Sequence, residues 1–310
     1  MPFELVAGAA GAYDLDVGGQ TASFEVLGGG FLGQSLASLT DSQGLIAFLE
    51  PVVLESALKE KVEAYRMRYL SDGLEVVGFV VKPIGDDVKY PVLIYNRGGN
   101  CEYDKIEGTD LTDYLPCLSS NGYVVVASQY RGNDGGQGEE EFGGSDVNDV
   151  LNLIPLAESL PFVDPGKMVM LGFSRGGMMT YIALSMTEKV KAAAVIGGIT
   201  DCIQHYQERE EGMKQVYIDL VGGTPAEKEA EYEERSACFW PERINAPVLI
   251  LHGEDDWRVL VSQAEALAEK LEEVGKVHEL KVYPGGSHDL TEEGPDVRQR
   301  IFEWFAKYLD

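Results

Sequence analysis

Met168-Val-Met-Leu-Gly-Phe-Ser-Arg-Gly-Gly177 decides how the 310-residue chain is read. An apolar run of strand character leads into Gly172-x-Ser174-x-Gly176. The helix-compatible run Met178-Met-Thr-Tyr-Ile-Ala-Leu184 follows. Strand, sharp turn and helix in that order form a nucleophile elbow, which lifts one serine out of a sheet. The glycines have a steric task, because a serine held in a strained turn leaves no room for side chains two residues to either side. Chance is the competing account in a chain with 36 glycines; the strand before and the helix after argue against it.

Outward from this turn, short apolar runs alternate with helical stretches. The runs are Pro91–Tyr95, Tyr123–Ala127, Met168–Leu171, Ala192–Ile196, Pro247–Leu251 and Glu279–Tyr283. Continuous apolarity over about five residues predicts strands covered on both faces, as in a parallel sheet. Leu260, Ala264, Leu267, Leu271 and Val274 share one face of a helix, and so do Val297, Ile301, Trp304 and Tyr308. Upstream, Tyr65–Leu70 and Leu74–Val81 flank Ser71-Asp-Gly73 as a hairpin. The expected fold is an α/β three-layer sandwich of about eight mostly parallel strands with helices on both faces.

Two regions stand apart. Residues 1–61 form an N-terminal extension with no Lys or Arg before Lys59. Within it, residues 12–27 alternate about Gly18-Gly19 as a hairpin, and Ser42–Val62 reads as largely helical around Pro51. Gly28-Gly-Gly30-Phe-Leu-Gly33 fits a dinucleotide-binding pattern, with Glu50 as the tempting acid. No second strand or timely helix supports that site, so a glycine-rich turn is the better account. Residues 62–310 form the catalytic domain. Some fifty residues between Ile196 and Pro247 are too many for a crossover, and the stretch of about 200–245 is expected to be a helical lid.

A serine hydroxyl needs a base, an acid to orient that base, and donors for the oxyanion. Four histidines are available: His205, His252, His278 and His288. His288 follows the last strand at its carboxyl end, the edge where ligands bind in open parallel sheets. His278 opens a strand, His205 sits in the excursion, and His252 closes a strand as a turn-supporting side chain. Glu254, Asp255 and Asp256 follow that same strand and supply the acid. The chain order is then serine, acid, histidine.

Lys89–Asn100, Gln129–Gly132, Phe142–Asp149, Gly172–Gly177 and His252–Val259 together resemble the prolyl oligopeptidase-like branch of the α/β-hydrolases, from about Tyr65 to the C-terminus. The resemblance implies that the acid stands in His-Gly-x-x-Asp-x-x-Val, which selects Asp256. It also implies an oxyanion amide from a His-Gly-Gly-Pro motif, here Arg97-Gly98-Gly99-Asn100, so Gly98 or Gly99 is the expected donor. The amide of Arg175 is the second donor. Arg97 and Trp257 are the expected substrate contacts. The side chains of Arg131 and Arg175 are expected to brace loops. Peptidases of this family carry an N-terminal propeller that filters peptides. Some sixty residues precede the hydrolase region here, so that filter is not expected.

The net charge of −27 argues against nucleic acid or an anionic membrane as a partner. No signal-like start and no long apolar run is present, which points to the cytoplasm. The cysteines lack Cys-x-x-Cys spacing and no two histidines share a metal-type spacing, so neither metal nor cofactor is expected. The expected activity is hydrolysis of small to medium carboxylic esters, with a short-peptide amidase or aminopeptidase on the same triad as the alternative. A non-catalytic binding protein on a hydrolase fold is the third reading. The N-terminal segment offers an extra sheet edge, a wall of the site or a contact for a homodimer.

Overall fold

The computed structural model describes residues 44–309 except 86–87, together with the backbone of 11–17 and 20–26. Strands β1 (Gly11–Val17) and β2 (Gln20–Val26) pair antiparallel with Val17 opposite Gln20, the hairpin register expected for this stretch. The Gly28–Gly33 pattern and the Gly18-Gly19 turn lie outside the described residues.

The main sheet has nine strands. In chain order they are β3 (Ile46–Val52), β4 (Val62–Ser71), β5 (Leu74–Pro83), β6 (Tyr90–Asn96), β7 (Val124–Ser128), β8 (Val163–Phe173), β9 (Ala192–Ile196), β10 (Val248–Gly253) and β11 (His278–Tyr283). Across the sheet the order is β11-β10-β9-β8-β6-β7-β5-β4-β3. The six strands from β6 onward are parallel to one another, as the continuous apolar runs predict, and β5, β4 and β3 continue the sheet antiparallel from β7 to one edge.

The helical expectation for Ser42–Val62 is corrected here. Residues 46–52 are an edge strand, and only Ala57–Glu60 turn helically. Pro51 is compatible with that position, since an edge strand pairs on one side only and tolerates a missing N–H. The sheet therefore has one strand more than the eight expected.

The helices are α1 (Leu115–Ser119), α2 (Val147–Leu151), α3 (Leu153–Ser159), α4 (Arg175–Met186), α5 (Cys202–Glu208), α6 (Glu211–Val221), α7 (Glu229–Glu234), α8 (Val261–Glu273) and α9 (Gly294–Leu309). They cover both faces. Along β6, Val92 and Ile94 join a core with Val147, Leu153, Met178 and Leu267, from α2, α3, α4 and α8. Leu93 and Tyr95 point the other way, into a core with Leu115, Ile301 and Phe305 from α1 and α9. β6 thus buries both faces, which is why its sequence does not alternate. The carboxyl ends of β6, β8, β10 and β11 carry the loops that hold Arg97–Asn100, Ser174, Asp256 and His288.

Candidate active site

Ser174 is the residue between β8 and α4, with φ 55° and ψ −121°. Positive φ is costly for a residue with a side chain and persists where the surroundings enforce it. Its amide donates to the Ile196 carbonyl at the end of β9 (2.9 Å), and its carbonyl accepts from Gly177 (2.8 Å). A Cβ on Gly176 would overlap the backbone carbonyls of Asn96 and Arg97. The elbow therefore sits directly on the end of β6. Asn96 Nδ2 donates to Thr180 Oγ1 across the same contact (2.8 Å).

His288 lies on the loop after β11, with Nδ1 2.7 Å from Asp256 Oδ2. Asp256 is 2% exposed, whereas Asp255 is solvent-exposed. The other carboxyl oxygen, Oδ1, accepts from the amides of Arg258 and Val259, both at 2.9 Å. Burial works to raise the Asp256 carboxyl, but hydrogen bonds from His252 and His288, the His288 charge and the Val259 amide outweigh it. The group is held well below the usual carboxylate range. His252 is fully buried; its Nε2 lies 2.7 Å from the Val259 carbonyl and 3.2 Å from Asp256 Oδ2. It braces the acid-bearing turn, the supporting place expected for it. His278 opens β11 and lies at the opposite end of the strand.

Ser174, His288, Arg175, Gly99 and Trp257 border one cavity of about 380 Å³. As the first residue of α4, Arg175 has no intrahelical acceptor for its amide. Its guanidinium does not face substrate. It is buried against Glu140 Oε1 (2.8 Å) and Asp146 Oδ2 (2.6 Å), lies over the rings of Tyr130 and Phe142, and donates to the Gly99 carbonyl (3.2 Å). Arg131 likewise binds Asp149 and Asp72, so both arginines brace loops as expected. Gly99 has φ +67°, and a Cβ there would overlap the Tyr103 carbonyl. Gly98 borders a different, smaller cavity.

Arg97 is placed otherwise than a substrate contact requires. It is 1% exposed and makes five hydrogen bonds, to the carbonyls of Gly98, Cys101, Tyr103 and, twice, Gln129. A guanidinium has five N–H donors, so none remains for a ligand. Arg97 organises the loop after β6. Trp257 is 65% exposed at the cavity, with the guanidinium carbons of Arg209 and Arg258 at 5.1 and 5.4 Å from its ring.

Several cavity residues were not expected at the site from the sequence, which named His205 only as a histidine of the excursion. The excursion after β9 contributes Ile199, His205, Arg209, Glu210, Met213 and Val216. His205 is buried, with Nδ1 2.9 Å from the Tyr217 hydroxyl and Nε2 2.9 Å from the Arg258 carbonyl. Burial pushes its imidazole down to about 4, despite the Arg258 carbonyl. An isolated histidine inside a long insertion carries no spacing that would flag it. The length of the insertion was the available signal.

An elbow serine that shares a cavity with a carboxylate-paired histidine, at the carboxyl ends of parallel strands, defines a serine hydrolase of the α/β-hydrolase fold. Residues 111–310 match the prolyl oligopeptidase family. An uncharacterized peptidase of Bacillus subtilis, YtmA, is 32% identical over 247 residues, covering 79% of this chain and 94% of its own. With that family match and that relative, the chain belongs to the prolyl oligopeptidase family. Dipeptidyl-peptidase 5 of Porphyromonas gingivalis is 27% identical, over 89% of this chain and 41% of its own length. Among solved structures, the acylaminoacyl peptidase of Pyrococcus horikoshii is similar with a TM-score of 0.68 and 26% identity, over 80% of this chain and 42% of that one. The chain thus spans nearly all of YtmA but about two fifths of the larger relatives. No helix among the described residues is long and apolar enough to cross a membrane.

Proposed function

We propose that the chain is a serine peptidase acting on short peptides. The observation that carries this reading is the His288–Asp256 pair, 2.7 Å apart, behind a cavity that Ser174 borders. Its relatives favour amide over ester substrates: the ester reading led in the sequence, but the relatives reported above are named as peptidases.

Ser174 Oγ attacks the scissile carbonyl while His288 takes its proton. Asp256, anionic at neutral pH, keeps the second imidazole nitrogen protonated and stabilises the imidazolium. The amides of Arg175 and Gly99 receive the oxyanion; Gly99 is favoured over Gly98 because it borders the same cavity as Ser174. His288 then gives its proton to the leaving amine, the acyl-enzyme forms, and water releases the acid. The insertion of about 200–245 acts as a lid, since Met213 and Val216 of α6 and Arg209 before it border the cavity. Phe142, Ile199, Met213 and Val216 make an apolar wall suited to one uncharged side chain of the peptide.

The test compares kcat/KM on matched aminoacyl anilides and esters of the same acyl group. Turnover of the anilides, abolished in Ser174→Ala, supports a peptidase. Turnover of esters alone returns the assignment to an esterase.

A further inference from the structure

Besides walling the cavity, the excursion after β9 grips the turn that carries Asp256. Two amides, those of Arg258 and Val259, hold Asp256 Oδ1. Each belongs to a peptide group whose carbonyl is bound by the excursion. The Trp257 carbonyl, in one peptide group with the Arg258 amide, accepts from Arg209 Nη1 (3.2 Å). The Arg258 carbonyl, in one group with the Val259 amide, accepts from Arg209 Nη1 (3.0 Å) and lies 2.9 Å from His205 Nε2. A trans peptide group is planar, with its N–H and C=O on opposite sides. Fixing the carbonyl therefore fixes the direction in which the amide points.

The protons on this grip can be assigned. A carbonyl only accepts, so His205 Nε2 carries its proton toward Arg258. Burial keeps the imidazole neutral at neutral pH, so Nδ1 accepts from the Tyr217 hydroxyl (2.9 Å). Tyr217, fully buried in α6, thus sets the tautomer that holds Arg258. A carbonyl that accepts a hydrogen bond is polarised, and the amide of the same group becomes a stronger donor. From the other side the turn is held by His252, whose Nε2 lies 2.7 Å from the Val259 carbonyl. His252 belongs to β10, so the sheet holds one side of the turn and the excursion the other.

We propose that His205 and Arg209 are positioning residues for the acid: they orient the two peptide groups whose amides hold Asp256 Oδ1, and so direct Oδ2 at His288. The excursion then governs proton transfer without touching the reacting atoms. A residue that merely walls the cavity acts on substrate binding; one that aims the acid acts on the chemical step. The role of Asp256 as the acid rests on the function proposed above, but the choice between peptide and ester substrates does not enter, because both need the same base.

The test is a double-mutant cycle on kcat, run on an anilide and an ester of the same acyl group. The rate at which a fluorophosphonate labels Ser174 is followed in parallel, since it needs the same base whichever substrate is cleaved. His205→Gln keeps an N–H donor where Nε2 stands; His205→Asn carries its amide where Nδ1 stands, short of the Arg258 carbonyl. His205→Asn is expected to lose about tenfold in kcat with KM little changed, and His205→Gln to recover most of that loss. Arg209→Met, which keeps an unbranched stem over Trp257, is expected to lose about tenfold as well. In an Asp256→Asn background neither His205→Asn nor Arg209→Met should cost more, because no carboxylate is left to aim. All rates are taken at a temperature at which circular dichroism shows each variant folded. A change in KM alone, or the same loss of kcat in both backgrounds, overturns the inference and leaves the triad standing. Wild-type kcat in Asp256→Asn would remove Asp256 as the acid, and the inference with it.

Discussion

His288 Nδ1 stands 2.7 Å from Asp256 Oδ2, although the two residues lie 32 positions apart on the loops after neighbouring strands. The parallel pairing of β10 with β11 aligns their carboxyl ends, Gly253 opposite Tyr283, and so brings the loops together. The two amides on Asp256 Oδ1 and the imidazole of His252 fix the carboxylate before any substrate arrives.

Asp256→Asn is therefore expected to lower kcat by about 10⁴-fold, because an amide no longer holds the required tautomer of His288. Asp255→Asn removes an exposed carboxylate and should have a far smaller effect. Steady-state kinetics of the two variants decide the assignment, and a larger loss for Asp255→Asn moves the acid by one residue.

Acid stability should depend on His205. Its native value of about 4 lies below the ordinary 6.5, so the unfolded chain binds a proton over that interval and the native chain does not. Stability from this site is complete above pH 6.5 and declines as pH falls to about 4, by about 3 kcal/mol. The Tm of the wild type should drop over this window more steeply than that of His205→Gln. Parallel curves would show that the imidazole does not control the transition.

Arg175→Met should destabilise the fold by about 3–5 kcal/mol, since it leaves Glu140 and Asp146 buried without their cation. Adding Glu140→Gln and Asp146→Asn should recover part of that loss. Urea denaturation measures both. A triple variant less stable than Arg175→Met would contradict the account of this cluster.

Gly176→Ala should prevent formation of the elbow, because the added methyl meets backbone carbonyls that cannot move aside. Gly212→Ala, in α6 with nothing within 4 Å of the added Cβ, should raise Tm through helix propensity. Thermal melts of the two variants test the contrast.

The parallel strands were legible because burial on both faces writes itself as an unbroken apolar run, Val92 to Tyr95 being typical. Ser174 and His288 were legible from their places after such runs, and the choice of Asp256 came from a motif. Residues 46–52 misled, because an edge strand containing Pro51 has neither alternation nor continuous apolarity. Arg97 misled because a sequence shows a charge but not whether nearby carbonyls have taken its donors. The grip on the Asp256 turn joins His205, Arg209 and Arg258, residues that only the fold brings together.

The central claim is that Ser174 is the nucleophile for amide hydrolysis. Its most direct test is turnover of an aminoacyl anilide by wild type and Ser174→Ala, with fluorophosphonate adducts mapped by mass spectrometry. The adduct is expected on Ser174, and the variant should lose about 10⁶-fold in kcat, to the detection limit. An adduct elsewhere, or a variant that retains wild-type turnover, would contradict the claim.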